Sequence, residues 1–554
     1  MRQPSVLVMG GGVAGMSAAH ELAERGFRVT VLERRAIPGG KARSVPVPHT
    51  GTAGRRDLPG EHGFRFFPGF YRHLPDTMRR IPLPGRPNGV FDNLVPATRL
   101  EMARAGMRKV VIPARFPTSL EELRMGLAAA IGNLLGDPGI PALDLAHFTE
   151  RLLTMLRSCE ARRYVEYENL DWWTFSGAEQ RSAKYQLYLA DGLSRTLVAA
   201  QARRLSARAG GYILVQLLLD LMRPGGRTDR LLNGPTNDVW IDPWLRHLLA
   251  LGVDYRLGAE VTGIGCRRGR VTGVTVREGG ATTTRTADHY VAAVPKEVMQ
   301  ALVGPALRRA DPLLGELGRL QTRWMNGIMF YLRDDPPAVP GHSIFIDSPW
   351  ALTSISQQQF WPDHDLRGMG DGTVSGVLSV DVSEWEAAGE LTGKDARSCT
   401  RAEFVAEVRH QLQVRGVEGL DDGNLVTTFV DTDITFPNPP HAGVNAEPLL
   451  VNTSGSWEHR PRAVTPVDNL FLASDYVRTH TDLATMEAAN EAARRAVNGI
   501  LDATGSREPR CAVWALSEPL LFAPARLADR VLFSLGRPAN GGAPAPTLAS
   551  LSPD

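Results

Sequence analysis

Three glycines near the start of the chain, Gly10, Gly12 and Gly15, stand in G-x-G-x-x-G spacing within VLVMGGGVAGMSAAHELAERGFRVTVLER, which also contains Glu33. That pattern suits one kind of chemistry, the holding of a diphosphate by backbone amides. The first glycine permits a tight turn, the second lets N–H groups approach the phosphates, and the third lets a helix pack close to a strand. Val13 and Ala14 complete the loop. A helix N-terminus behind it favours anionic groups, and Glu33 supplies a carboxylate for ribose hydroxyls.

Local elements have to place these residues, and the surrounding sequence provides them. Val6 to Met9 form a continuous apolar run, as in a buried parallel strand. Met16, Ala19, Leu22 and Ala23 repeat with helical period, and RVTVLE is a second strand ending in Glu33. The reading is a dinucleotide-binding βαβ unit. The next segment, RRAIPGGKARS over residues 34–44, adds a glycine pair and basic residues that a simple NAD domain does not need. Arg34, Gly40, Lys41, Ala42 and Arg43 suit a longer cofactor, with Arg43 running along a pyrophosphate and ribityl chain.

With these residues the chain resembles the flavin-dependent superfamily of amine oxidases, phytoene desaturases and carotenoid isomerases. Four separated stretches carry the resemblance. The first is the fingerprint with GGKARS. The second is EHGFRFFPGFYRHLPDTM, residues 61–78, which brings Gly63 and Phe64. The third is LNGPTNDVWIDPWLRHLLALGVDYRLGAEVTGI, residues 232–264, which places Val261 beside the adenosine half of FAD. The fourth is LFLASDYVRTHTDLATMEAANEAARRAV, residues 470–497. There the resemblance places Asp475 near the ribityl chain and pyrophosphate. It starts a helix near Ala484, with Thr485 and Met486 at the flavin ring. Ser474 departs from the family, which commonly has glycine at that position.

The resemblance implies FAD as cofactor and an α/β fold, a discontinuous Rossmann-type FAD-binding domain with an α+β substrate domain. The FAD domain is expected over 1–95, 225–300 and 455–505, with RVTGVTV and HYVAAVP returning to it as strands. The substrate domain is expected over 96–224 and 301–454. Residues 506–554 are expected to hold an amphipathic segment and a disordered tail.

The chemistry within the family is narrowed by what is missing. Amine oxidases of this superfamily usually carry a lysine near flavin N5, whereas RLQTRWMNGIMFYL, residues 319–332, has none. Asp475 followed by ATMEAA resembles the carotene desaturase branch, which acts on long apolar polyenes by dehydrogenation or isomerisation. DWWTF, WMNGIMFYL and IFIDSPW offer aromatics and Met for an apolar channel, or for ordinary core. His62 and Arg65 lie in the second stretch without an assigned role, and His342, His459 and His480 are isolated. No catalytic residue, metal ligand set or electron acceptor is singled out. The alternatives are a hydroxysqualene-type lipid substrate, an amine oxidase, or a non-catalytic FAD-binding or prenyl-carrier protein.

Composition sets the remaining bounds. The chain has 554 residues, 43% hydrophobic and 22% charged, with net charge +2, as in an ordinary globular protein of two or three domains. No dense Lys/Arg run points to nucleic acid. Four scattered cysteines, Cys159, Cys266, Cys399 and Cys511, suggest neither a disulfide framework nor a zinc site and fit a reducing cytoplasm. No run of about eighteen apolar residues predicts a membrane span, and MRQPSVLVMGGG does not read as a signal peptide. Over residues 516–536, Leu527, Val531 and Leu535 share a helical face with Arg526 and Arg530 nearby. That face suits peripheral membrane contact or packing on the protein body.

Overall fold

A computed structural model describes residues 3–106, 109–112, 139–197, 200–221, 229–438 and 441–539. The expected disordered tail lies outside the described residues from 540 onward.

The dinucleotide unit forms where the sequence pattern requires it. Strand β1 (Ser5–Met9) is buried on both faces, α1 (Val13–Glu24) follows the glycine loop, and β2 (Arg28–Glu33) pairs with β1 in parallel. The sheet is completed by β3 (Asp254–Leu257), β4 (His289–Ala292) and β5 (Leu470–Leu472). Its order is β3-β2-β1-β4-β5, with every pairing parallel. Strands far apart in sequence thus share one sheet, and their carboxyl ends form one rim, where ligands bind in open α/β sheets.

Both expected returning strands exist, in different sheets. HYVAAVP supplies β4, whereas RVTGVTV lies in a three-stranded antiparallel sheet of Ala259–Arg267, Arg270–Glu278 and Ala281–Arg285. Val261 sits half-buried on the first of these strands.

Helix α2 (Met486–Thr504) packs against α1. It begins two residues later than the expected start at Ala484. The cause is Thr485, an N-cap whose hydroxyl accepts the Ala488 N–H at 3.1 Å, which satisfies one of the amides a helix start leaves open.

A second, seven-stranded sheet carries much of WMNGIMFYL and the start of IFIDSPW, whereas DWWTF opens a short helix. The order of the sheet is Leu425–Val430, Asn326–Leu332, Gly376–Val382, Leu352–Ser356, Gly341–Phe345, Arg99–Ala103 and Val110–Ile112. Trp172 and Phe175 pack with Phe148 and Tyr185 in a helical core, and Ile328 and Phe330 pack beneath the sheet. The DWWTF and WMNGIMFYL segments therefore contribute mainly to cores. Helix α3 (Ala523–Ser534) docks through buried Asp529, which accepts from the Arg162 guanidinium and from Cys159 N–H. Its other face leaves Leu527 66% and Leu535 66% exposed, so the apolar face is not packed on the body. No described helix is long and apolar enough to cross a membrane, and all four cysteines are free.

Candidate functional site

The glycine loop separates two demands. Gly10 has φ +101°, and a Cβ there would meet Ala293 O at 2.4 Å. At Gly15 a Cβ would lie 1.9 Å from Gly10 O. Both glycines are required by the protein's own packing. Gly12 is different, since its Cβ would find nothing closer than Gly40 Cα at 3.5 Å, an ordinary contact. Packing does not explain glycine at 12, whereas a phosphate against the loop does. Gly39 N donates to Gly11 O at 3.0 Å, so the GGKARS turn faces this loop. A short 3-10 turn, Gly40–Ala42, follows.

Glu33 closes the strand end. Its Oε2 accepts from Gly11 N at 2.7 Å and its Oε1 from Arg35 N at 2.9 Å. Tyr255 on β3 donates its hydroxyl to Gly11 O at 2.7 Å. Sequence reasoning missed Tyr255, because only the pairing of β3 with β2 brings it over the loop.

The basic residues of the GGKARS segment are held by acids from the far end of the chain. Arg43 is buried and pairs with Asp433 and Glu447, and Arg35 donates to the same two carboxylates. Arg34 is half exposed, 3.6 Å from Glu447. Burial opposes ionisation of Glu447, but Arg43 and Arg35 outweigh it and hold its carboxyl down at about 2. Lys41 is also held by the protein. Its amine donates to Pro448 O, with Glu297 3.8 Å away, while its own carbonyl accepts from Arg65 at 2.9 Å. Arg65 also donates to Ala42 O at 3.2 Å.

His62 and Gly63 adjoin this segment. His62 Nδ1 hydrogen-bonds Asp431, and Asn326 and Asn445 continue the network. Burial raises the Asp431 carboxyl, but the hydrogen bond and charge of His62 prevail and draw it to about 2. His62 Nε2 is buried without a protein partner. A Cβ on Gly63 would meet Asp381 Oδ1 at 2.5 Å. Burial pushes that Asp381 carboxyl up to about 7, with Arg65 opposing. Phe64 packs edge-on against His342 at 5.1 Å, and burial pushes the His342 imidazole down to about 4.

Three residues beyond the end of β5 stands Asp475, whose carboxylate accepts from Ser474 Oγ at 3.2 Å. Ser474 is buried, so a hydroxyl is accommodated where the family commonly has glycine. The loop beyond is pinned by buried charges. Arg460 donates to Asp475 O at 2.8 Å and pairs with Asp482, which Arg208 also binds. Burial, with Arg208 nearby, pushes the Arg460 guanidinium down to about 10. The loop leads into Thr485, Met486 and the positive end of α2.

Two further groups bear on the chemistry. The chain has five lysines, and none offers a free buried amine among the described residues. Lys296 donates to Leu320 O at 3.1 Å, Lys109 pairs with Glu101, Lys394 with Glu403, and Lys184 is exposed. His20, Glu24 and His247 have metal-ligand spacing. Trp244 Nε1–H, however, donates to His20 Nδ1 at 3.1 Å, which places the ring proton on Nε2 facing Glu24 at 3.0 Å. That imidazole has no lone pair left for a metal, since it links Trp244 to Glu24 in a hydrogen-bonded chain.

The model of flavin containing amine oxidoreductases matches residues 13–501. The chain belongs to this family. Like its family it is an FAD-dependent oxidoreductase, and the open cradle at Gly12 fits that cofactor. A carotenoid phi-ring synthase of Chlorobaculum tepidum is 25% identical over 297 residues, 52% of this chain and 41% of that protein. The chain therefore spans less than half the length of that relative. A probable zeta-carotene desaturase of Synechococcus elongatus is 22% identical over 533 residues, 90% of this chain and 98% of that protein. A putrescine oxidase structure bound to putrescine superposes with TM-score 0.59 at 13% identity, covering 90% of this chain and 99% of that one. That likeness establishes the fold alone.

Proposed function

We propose that this oxidoreductase acts on a long apolar isoprenoid of the carotenoid type, by dehydrogenation or flavin-mediated isomerisation. One observation carries the reading: every described lysine is committed elsewhere or exposed, so none offers the free buried amine usual in amine oxidases. The carotenoid names of the full-length and partial relatives agree with it, and a cyclic carotenoid belongs among the substrates to test.

In this reading Gly10, Gly12, Val13, Ala14 and Gly15 hold the pyrophosphate, Glu33 and Val261 flank the adenosine half, and Arg34, Gly40, Lys41, Ala42 and Arg43 line the middle. Gly63, Phe64, Asp475, Thr485 and Met486 surround the ring. FAD supplies hydride acceptance from an allylic carbon. The chain supplies the rest. The α2 N-terminus stabilises negative charge at the ring's edge, and packed aromatics exclude water. His62, oriented by Asp431 at Nδ1, is a buried imidazole whose unpartnered Nε2 takes a proton from its neutral form. The FAD-binding domain comprises 1–95, 225–300 and 455–505, with the substrate domain between.

The exposed apolar face of α3 and Leu520, 86% exposed, rest on a membrane surface from which an apolar substrate is drawn. The test is incubation of FAD-loaded protein with carotenoids dispersed in liposomes. A shift of the polyene's visible spectrum, or a new isomer on chromatography, supports the proposal. An unchanged carotenoid set refutes it.

A further inference from the structure

Behind the Asp475 loop lies a groove of about 740 Å³ that the oxidoreductase reading does not use. Four arginines line it, Arg462, Arg478, Arg495 and Arg510, against a single carboxylate, Asp502. Tyr164 and Trp457 form one wall, with ring centroids 4.9 Å apart. The volume is that of a small-molecule site.

The charges in the groove are unevenly satisfied. Arg495 pairs with Glu491 at 2.7 Å, and Arg510 pairs with Asp502. Among the described residues Arg478 donates to backbone alone, to Trp457 O and Glu458 O at 3.1 Å each. Arg462 is exposed and makes no hydrogen bond or ion pair among the described residues. Burial, and then the charge of Arg462, lowers the Arg478 guanidinium. Arg462 and Arg478 thus bring two like charges to a groove with an aromatic wall, where the lining carboxylate Asp502 is already paired with Arg510.

Guanidinium groups so placed match the oxygens of a phosphoryl group, which they bind through paired charge-assisted hydrogen bonds. We infer that this groove binds a phosphorylated anion, Arg462 and Arg478 taking its oxygens and Arg495 and Arg510 supporting them. The site is separate from the glycine loop. It is lined from Arg495 to Asp502 on the C-terminal half of α2 and reaches Thr479 and His480 of the pinned loop. A phosphate ester in solution and a phospholipid headgroup share this chemistry.

The test uses FAD-loaded protein, so that pyrophosphate does not simply enter an empty cofactor site. Its first arm is thermal unfolding in rising sodium pyrophosphate at ionic strength held constant with sodium chloride. Its second is flotation with phosphatidylserine-containing or pure phosphatidylcholine vesicles. A saturable rise in Tm of about 2–4 °C, lost in Arg462→Glu with flavin absorbance retained, supports a soluble phosphorylated ligand. Flotation greater with phosphatidylserine than with phosphatidylcholine alone, the excess competed by pyrophosphate and lost in Arg462→Glu, supports a headgroup. No saturable response in either arm, or responses equal in wild type and Arg462→Glu, overturns the inference.

Discussion

Gly12 and Gly40 face each other so closely that a Cβ on Gly40 would lie 2.9 Å from Gly12 Cα, yet a Cβ on Gly12 would clash with nothing. The fold therefore leaves room at position 12, as the proposed phosphate contact requires. Gly12→Val is expected to abolish FAD retention while leaving the unfolding midpoint of the cofactor-free protein nearly unchanged. Gly15→Ala is expected to destabilise the same cofactor-free protein by about 1–3 kcal/mol or more, because its Cβ enters Gly10 O. Flavin absorbance after gel filtration and urea unfolding separate the two, and normal FAD content in Gly12→Val contradicts the assignment.

The His62–Asp431 pair yields a kinetic prediction. His62→Gln removes the imidazole and is expected to lower kcat about 10²–10⁴-fold, the usual range for a proton-transferring group, with FAD content retained. Asp431→Asn is expected to cost less and to shift the pH profile of kcat, since Asp431 acts by orienting His62. Equal activity of wild type and His62→Gln removes His62 from the chemistry.

Asp381 makes a prediction about pH and stability. Its carboxyl is raised by burial to about 7 in the folded protein, against a usual value near 4. A raised carboxyl contributes stability that is fully present below the unfolded value and lost as pH rises through the folded one. Asp381→Asn, which cannot ionise, is expected to match wild type near pH 4 and exceed it above pH 7. Urea midpoints across that window check this, and a constant difference at all pH values contradicts it.

The apolar face of α3 gives a binding prediction. Leu527→Asp with Leu535→Asp is expected to reduce flotation with neutral liposomes several-fold without lowering Tm, because both side chains are exposed and Asp529 anchors the opposite face. Equal flotation of variant and wild type removes the helix from membrane contact.

What the sequence made legible follows the range of the interactions involved. Gly10 to Gly15 and Glu33 lie in one βαβ unit, so spacing alone placed them on one loop. The helix start was misplaced by two residues because Ala484 favours a helix while the Thr485 cap defines its end. Tyr255, Asp431, Asp433 and Glu447 gave no local signal. They reach the glycine loop, His62 and Arg43 only through strand pairing and contacts some 240 to 400 residues apart in sequence. The aromatic segments read as core before channel, since periodicity records burial and not what lies against the buried face.

The most direct test of the central claim is a parallel incubation of FAD-loaded protein with phytoene, ζ-carotene, a cyclic carotenoid, a squalenoid and a polyamine, each resolved by chromatography. A new desaturated or isomerised polyene and an unchanged amine are expected. Turnover of the polyamine alone would contradict the claim.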